Sequence, residues 1–103
     1  MAKSLLAQVE KEWDSTMELL KILSHPVRLY IINELLNGDE CSVGYFVANL
    51  KIDFSNVSKH LAILRNYGIV ETTRESQWIY YKLKDQKVAE FVRSLANFNN
   101  NKQ

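Results

Sequence analysis

Between Ser42 and Leu83 the sequence carries a succession of stops and starts that leaves few options for the fold. Ser42 can cap a short helix running through Leu50. Lys51-Ile52-Asp53 leaves room only for a tight connection. Asp53 can then cap a second helix in which Val57, Leu61 and Leu64 fall on one face. Gly68 stops that helix. Ile69 to Arg74 and Trp78 to Leu83 are rich in β-branched and aromatic residues and are separated by Glu75-Ser76-Gln77, a pattern that predicts a hairpin with a three-residue turn.

Helical spacing governs the flanks. Leu5, Val9, Trp13, Met17 and Leu20 recur every three to four residues as one apolar stripe, and Ser15-Thr16-Met17-Glu18 has the form of a capping box, so a new helix is expected to begin there. Pro26 suits a first helical position; the helix it opens holds Leu29, Ile32, Leu35 and Leu36 and is expected to end at Asn37-Gly38. Asp85 can cap a last helix striped by Val88, Phe91, Val92, Leu95 and Phe98, and the polar tail Asn99 to Gln103 is expected to fray. A chain of 103 residues fits one domain. The order of elements predicts a mainly α fold with a β-hairpin wing, the winged helix-turn-helix plan, in which the second helix of the motif enters the major groove of DNA. Residues 42–83 form the expected DNA-binding unit, 1–23 and 85–99 the dimerisation helices, and 99–103 the polar tail. The terminal stripes exceed what so small a domain can cover. A homodimer is therefore expected, with Leu5, Val9, Trp13, Phe91, Leu95 and Phe98 at its interface.

Charge is distributed in the same sense. Residues 1–50 carry four Lys or Arg against seven Asp or Glu, whereas residues 51–87 carry seven against four. The basic segment is thus the one that holds the helix pair and hairpin. Ser55, Asn56, Ser58 and Lys59 lie off the Val57/Leu61/Leu64 face; short hydrogen-bonding side chains can approach base edges, and Asn can pair with adenine through two bonds. The helix N-terminus favours a phosphate, and Lys59 and Arg65 supply charge for others. Phe54 has two readings, covering a thymine methyl or packing inward as a staple. His60 has a structural or backbone-contacting reading ahead of a base-reading one. In the hairpin, Arg74, Gln77 and Lys82 can reach flanking phosphates or the minor groove, while Glu71 and Glu75 weaken the field there. Trp78 and Tyr80 are expected in the core, and Tyr81 is open to either use.

Three motifs resemble the ArsR/SmtB family of bacterial and archaeal repressors. Leu23-Ser24-His25-Pro26-Val27-Arg28-Leu29 looks like its opening motif, Val57-Ser58-Lys59-His60-Leu61-Ala62-Ile63-Leu64-Arg65-Asn66-Tyr67-Gly68-Ile69-Val70 like its recognition helix and exit turn, and Trp78-Ile79-Tyr80-Tyr81-Lys82-Leu83 like its wing. The match spans about residues 15–85 in one collinear order. It implies a homodimer built from the first and last helices, repression through double-stranded operator DNA, and release by an inducer, which the sequence leaves unidentified.

The chain departs from the family in its sensing chemistry. Where thiolate metal sensors of the family carry Cys-x-Cys, this chain has Ser42 and Gly44; Cys41 lies one residue earlier and is the single cysteine. The Asp/His and His/Glu pairs of a zinc site on the last helix are missing, since the two histidines are His25 and His60. No metal site and no cofactor are expected, because one thiolate makes a poor zinc site. Cys41 reads as an inert, partly buried thiol, with a single-thiol oxidation sensor as the alternative. One cysteine forms no internal disulfide and fits a reducing cytoplasm. The N-terminus has no long apolar run, so neither a signal peptide nor a membrane partner is expected. Three glycines and two histidines offer no phosphate loop and no nucleophile–base constellation, so an enzyme is not expected. A winged-helix protein-interaction module is the competing function; the polar face at Ser55 to Lys59 argues against it, because protein interfaces favour apolar and aromatic centres.

Overall fold

Side-chain caps open most of the helices of the computed structural model, which describes residues 4–101. The Ser4 hydroxyl accepts the Ala7 N–H at 3.2 Å and starts α1 (Leu5–Glu12). His25 starts α3 (Pro26–Glu34) by taking the Val27 N–H on Nδ1 at 3.1 Å, with Pro26 at the first helical position as expected. Ser42 caps α4 (Val43–Leu50) through the Tyr45 N–H at 3.2 Å. The Asp85 carboxylate caps α6 (Gln86–Asn101) through the N–H groups of Lys87 and Val88. Between them lie α2 (Asp14–Leu23), β1 (Cys41–Ser42), α5 (Phe54–Asn66), β2 (Val70–Glu75) and β3 (Trp78–Leu83).

Several boundaries differ from those the sequence predicts. The capping box at Ser15 does not form: α1 gives way to α2 at Trp13 alone, and Ser15 already lies inside α2. Backbone bonds from Trp13 to Val9 and from Met17 to Trp13 carry the ladder across the break, so no side-chain cap is needed. Helix α3 ends at Glu34, and a turn over 35–38 with Gly38 at φ 82° closes it. Helix α6 runs on through Asn101, so residues 99–101 extend it; the rest of the polar tail lies outside the described residues.

The sheet holds a strand that the sequence hid. Two-residue β1 pairs antiparallel with β3, Cys41 facing Tyr81 and Ser42 facing Tyr80, and gives the order β1-β3-β2. Two residues are too short to show a period. The hairpin turn is also one residue shorter than predicted: Glu75 pairs with Trp78, leaving Ser76-Gln77 as a two-residue turn with Ser76 at φ 57°. That left-handed backbone favours glycine. Replacing Ser76 by Gly is expected to stabilise the fold by about 0.5–1 kcal/mol, the relief exceeding the added freedom of the unfolded chain, and to raise the thermal midpoint by a few degrees. A melting curve at or below that of the parent protein would refute this account of the turn.

The core gathers around α3. Ile31, Ile32 and Leu35 meet Phe46 from α4, Val57, Leu61 and Leu64 from α5, Ile69 and Val70 from β2 and its approach, and Val88 and Val92 from α6. Arg93 ties α6 to the end of α3 by donating to the Leu36 carbonyl at 3.0 Å. Helix α1 contributes no buried residue and α2 only Leu23, within a molecule measuring 59 × 35 × 24 Å.

Candidate nucleic-acid interface

Helix α5 is divided along its length. Val57, His60, Leu61 and Leu64 are buried, and Ser55, Asn56, Lys59, Ala62, Arg65 and Asn66 are exposed. Ser55, Lys59, Ala62 and Asn66 recur at helical spacing and define the outward face, with Asn56 beside it; Ser58 is half-buried at its edge. Ahead of α5, Lys51 takes a left-handed backbone at φ 58° and closes α4, so the two helices of the motif meet across Lys51-Ile52-Asp53. Beyond it, Gly68 at φ 79° ends the helix in a conformation that a side chain would strain, and sends the chain into β2.

Asp53 occupies the N-cap position of α5 without making the capping bond. Its carboxylate instead accepts the Ser55 hydroxyl at 2.6 Å, and this bond, with a smaller contribution from Asn56, holds the acid below the ordinary carboxylate range. The start of the helix therefore already faces an anion. That carboxylate opposes the attraction that a helix N-terminus otherwise has for an anion.

The two ambiguous residues of α5 separate. Phe54 is 62% exposed, so it does not pack inward as a staple. His60 is 7% exposed and faces the interior, where the Arg28 guanidinium donates to its Nδ1 at 3.3 Å and the His25 ring lies 4.2 Å away between centroids. It does not share the outward face with Ser55, Asn56 and Lys59.

The wing residues divide by strand register. Arg74 alternates with Val70 and Thr72 on one face of β2, opposite Leu83, Tyr81 and Ile79. Lys82 lies on the other face, paired with Glu71, and Gln77 sits in the turn. The structure thus does not bring Arg74 and Lys82 together. Burial fades toward the tip: Tyr81 and Leu83 pack against the core, Tyr80 is half-buried beside Ser42 and Thr73, and Trp78 is 57% exposed. The expectation that Trp78 is a core residue is therefore corrected, because the hairpin outruns the helices that could cover it.

Sequence patterns missed two clusters. Glu34 accepts the hydroxyls of Tyr30 at 2.8 Å and Tyr45 at 2.7 Å, joining α3 to α4. Burial, and then the neighbouring Glu34, push the Tyr30 phenol up to about 12. The other is the Arg28 contact with His60, whose partners lie 32 residues apart and share no local period. Cys41 is 8% exposed, and its thiol is pushed up by burial and then by the carboxylates of Asp39 and Glu34, which disfavours the nucleophilic thiolate. Among the described residues, no group of three or more His, Cys, Asp or Glu is arranged to hold a metal ion, and no helix is long and apolar enough to cross a membrane.

Comparison with known proteins agrees with this architecture. Residues 25–72 match the model of the bacterial regulatory protein, arsR family. The biofilm growth-associated repressor of Xylella fastidiosa strain Temecula1 is 41% identical over 87 residues, covering 84% of this chain and 75% of the relative. The transcriptional activator HlyU of Vibrio cholerae is 36% identical over 90 residues, covering 87% of this chain and 82% of the relative. The structure of reduced HlyU from Vibrio cholerae superimposes with a TM-score of 0.80 at 34% identity, covering 88% of this chain and 95% of that one. A helix pair closed by Lys51 and Gly68, a three-stranded wing and relatives of this similarity lead to one conclusion: the chain belongs to the ArsR family of winged helix-turn-helix transcriptional regulators, which act by binding DNA.

Proposed function

We propose that the protein is a cytoplasmic repressor that binds an inverted-repeat operator as a homodimer, reading bases with the outward face of α5 and flanking DNA with the wing. The observation that carries this reading is the division of α5, with one face fully engaged in the core and the other made of small polar and cationic side chains. Asn56 and Ser55 are the candidates for base edges, and Lys59 and Arg65 for phosphates. Arg74, Gln77 and Lys82 are the candidates for the wing contacts, with the exposed Trp78 beside them at the tip. Repression needs only occupancy of promoter DNA, and the Xylella relative carries the name of a repressor.

The dimer rests on apolar surface that one chain leaves open. Leu5, Val9, Trp13, Met17 and Leu20 along α1 and α2, and Phe91, Leu95 and Phe98 along α6, are all more than two-fifths exposed or close to it. A groove of about 550 Å³ between α3 and α6, lined in part by Leu29, Val92 and Leu95, continues the α6 stripe. Surface of this kind marks an association site. Two-fold symmetry then sets two α5 helices against half-sites about 10 bp, or a multiple of that, apart.

The test couples mass to binding. Sedimentation at micromolar concentration is expected to give twice the 12.0 kDa of one chain. Selection of genomic fragments by the purified protein is expected to enrich an inverted repeat. A mass of one chain together with asymmetric selected sites would overturn the dimeric reading, and enrichment of no duplex would overturn DNA recognition by this surface.

A further inference from the structure

Arg28 is engaged on two sides. Its Nε donates to the Ile22 carbonyl at 2.6 Å, and one terminal nitrogen makes a longer contact of 3.5 Å with the Lys21 carbonyl. Both carbonyls belong to the last turn of α2, and that of Lys21 also accepts the N–H of the C-cap residue Ser24 at 3.3 Å, so the Ile22 bond is the stronger of the two anchors. The other terminal nitrogen donates to His60 Nδ1 at 3.3 Å. His60 stands on the inner face of α5 among Val57, Leu61 and Leu64. The His25 ring lies against it at an interplanar angle of 42°, while the Nδ1 of His25 is already used on the Val27 N–H. One planar guanidinium therefore spans from the end of α2 to the back of α5, a reach and fork that a lysine ammonium does not reproduce.

We propose that Arg28 is a positioning residue for DNA recognition: by joining the final carbonyls of α2 to neutral His60, it fixes the orientation in which α5 presents Ser55, Asn56 and Lys59. This rests on the reading that the outward face of α5 contacts DNA. Ser55 and Asn56 are short, so their hydrogen bonds to a base edge depend on where the helix axis lies to within about 0.5 Å. Helix α2 also carries Met17 and Leu20 of the exposed stripe, so the same link ties the recognition face to the face proposed for dimerisation.

The link requires a neutral imidazole. Nδ1 must offer a lone pair to Arg28, which leaves the proton on Nε2. Among the described residues, the titratable groups packed against His60 are His25 from the α2–α3 junction and Arg28 from α3, and the charge of Lys59, which points outward from the adjacent position of α5, acts on it in the same sense. Burial first, then these neighbours, hold His60 below its ordinary value of 6.5. A histidine whose value is depressed in the folded protein contributes fully above its ordinary value, and the contribution is lost as the pH falls below 6.5 toward the depressed value. Protonation would place two cations 3.3 Å apart and open the contact.

The experiment measures affinity by fluorescence anisotropy on two duplexes, one recovered by genomic selection with the parent protein and one of random sequence, from pH 5 to pH 8. Melting temperature is recorded for each protein. The parent is expected to bind the selected duplex with constant affinity above pH 6.5 and progressively more weakly as the pH falls through the depressed value of His60, while random DNA shows no such loss. His60→Gln keeps an acceptor at this position but cannot titrate, so its profile should lack the part of the fall that His60 carries, with His25 present in both proteins. Folded Arg28→Ala is expected to lose about tenfold on the selected duplex at pH 7.5, and Arg28→Lys is expected not to restore it, because charge without the fork does not bridge the two helices. Parental affinity in folded Arg28→Ala would overturn the proposal. So would a parent profile indistinguishable from that of His60→Gln, a comparison that decides the matter if Arg28→Ala does not fold. Lys59→Ala and Asn56→Ala mark the underlying reading: if both, folded, bind both duplexes like the parent, α5 does not contact DNA and the proposal falls with that assignment. If Lys59→Ala weakens binding and Arg28→Ala does not, the positioning role alone has failed.

Discussion

Truncation of Phe46 to alanine is expected to cost about 3–5 kcal/mol of stability. Phe46 is fully buried on α4 and stands edge-on to Tyr45 at 5.5 Å and to Tyr30 at 6.5 Å between ring centroids. Removing the ring deletes apolar area, two favourable aromatic contacts and the wedge that holds α4 against α3. Tyr30 and Tyr45 both donate to Glu34, so they cannot swing into the cavity without giving up those bonds. Against the 5–15 kcal/mol typical of a whole domain, a loss of about 3–5 kcal/mol removes much of the margin. The check is a urea titration at fixed protein concentration, fixed because association would otherwise shift the midpoint by mass action. The midpoint should fall with the slope unchanged, and DNA binding should be lost only where the protein unfolds. A loss below about 1 kcal/mol would mean that the site collapses freely and that α4 is not wedged in this way.

What the sequence revealed, and what it hid, follows from the range of each interaction. Val57, Leu61 and Leu64 are legible because helical burial repeats every three to four residues, and they are buried as that spacing predicts. Ser42 is legible as a cap because its partner, the Tyr45 N–H, lies three residues on. Strand β1 was not legible, since two residues carry no period and its pairing with β3 is formed across the fold. Trp78 misled because an aromatic in a strand usually has a core beneath it, whereas this one lies at the end of a hairpin that extends past its supports. His60 was ambiguous for a related reason. Its position on the inner face agrees with the helical period, but the hydrogen bond that makes burial of the ring nitrogen tolerable comes from Arg28 on another helix. The residues proposed to face DNA are legible in kind rather than in role: spacing places Ser55, Asn56 and Lys59 outside, and only comparison of substituted proteins assigns one to bases and another to phosphates.

That assignment yields the second large effect. Asn56→Ala is expected to weaken binding to the selected duplex by about 1–3 kcal/mol, the discrimination carried by one well-made contact to a base edge, and to leave random DNA nearly unaffected. Lys59→Ala is expected to behave in the opposite way. Loss of one phosphate contact should weaken binding to both duplexes alike and reduce the slope of log affinity against log salt by about 0.9. The pair is informative because the two side chains share one surface and one support. Both are exposed, and both project from a helix held by Val57, Leu61 and Leu64, so neither change should alter the melting temperature appreciably. Asp53 sharpens the contrast. Its carboxylate stands at the start of α5 and repels phosphates near Ser55 and Asn56, so a contact made there gains little from charge and depends on hydrogen-bond geometry. Asn56→Ala should therefore lower affinity with the salt slope unchanged. If its slope instead falls by about one unit, as for Lys59→Ala, then Asn56 serves the backbone rather than the bases, and sequence must be read from Phe54, Ser58 or the wing.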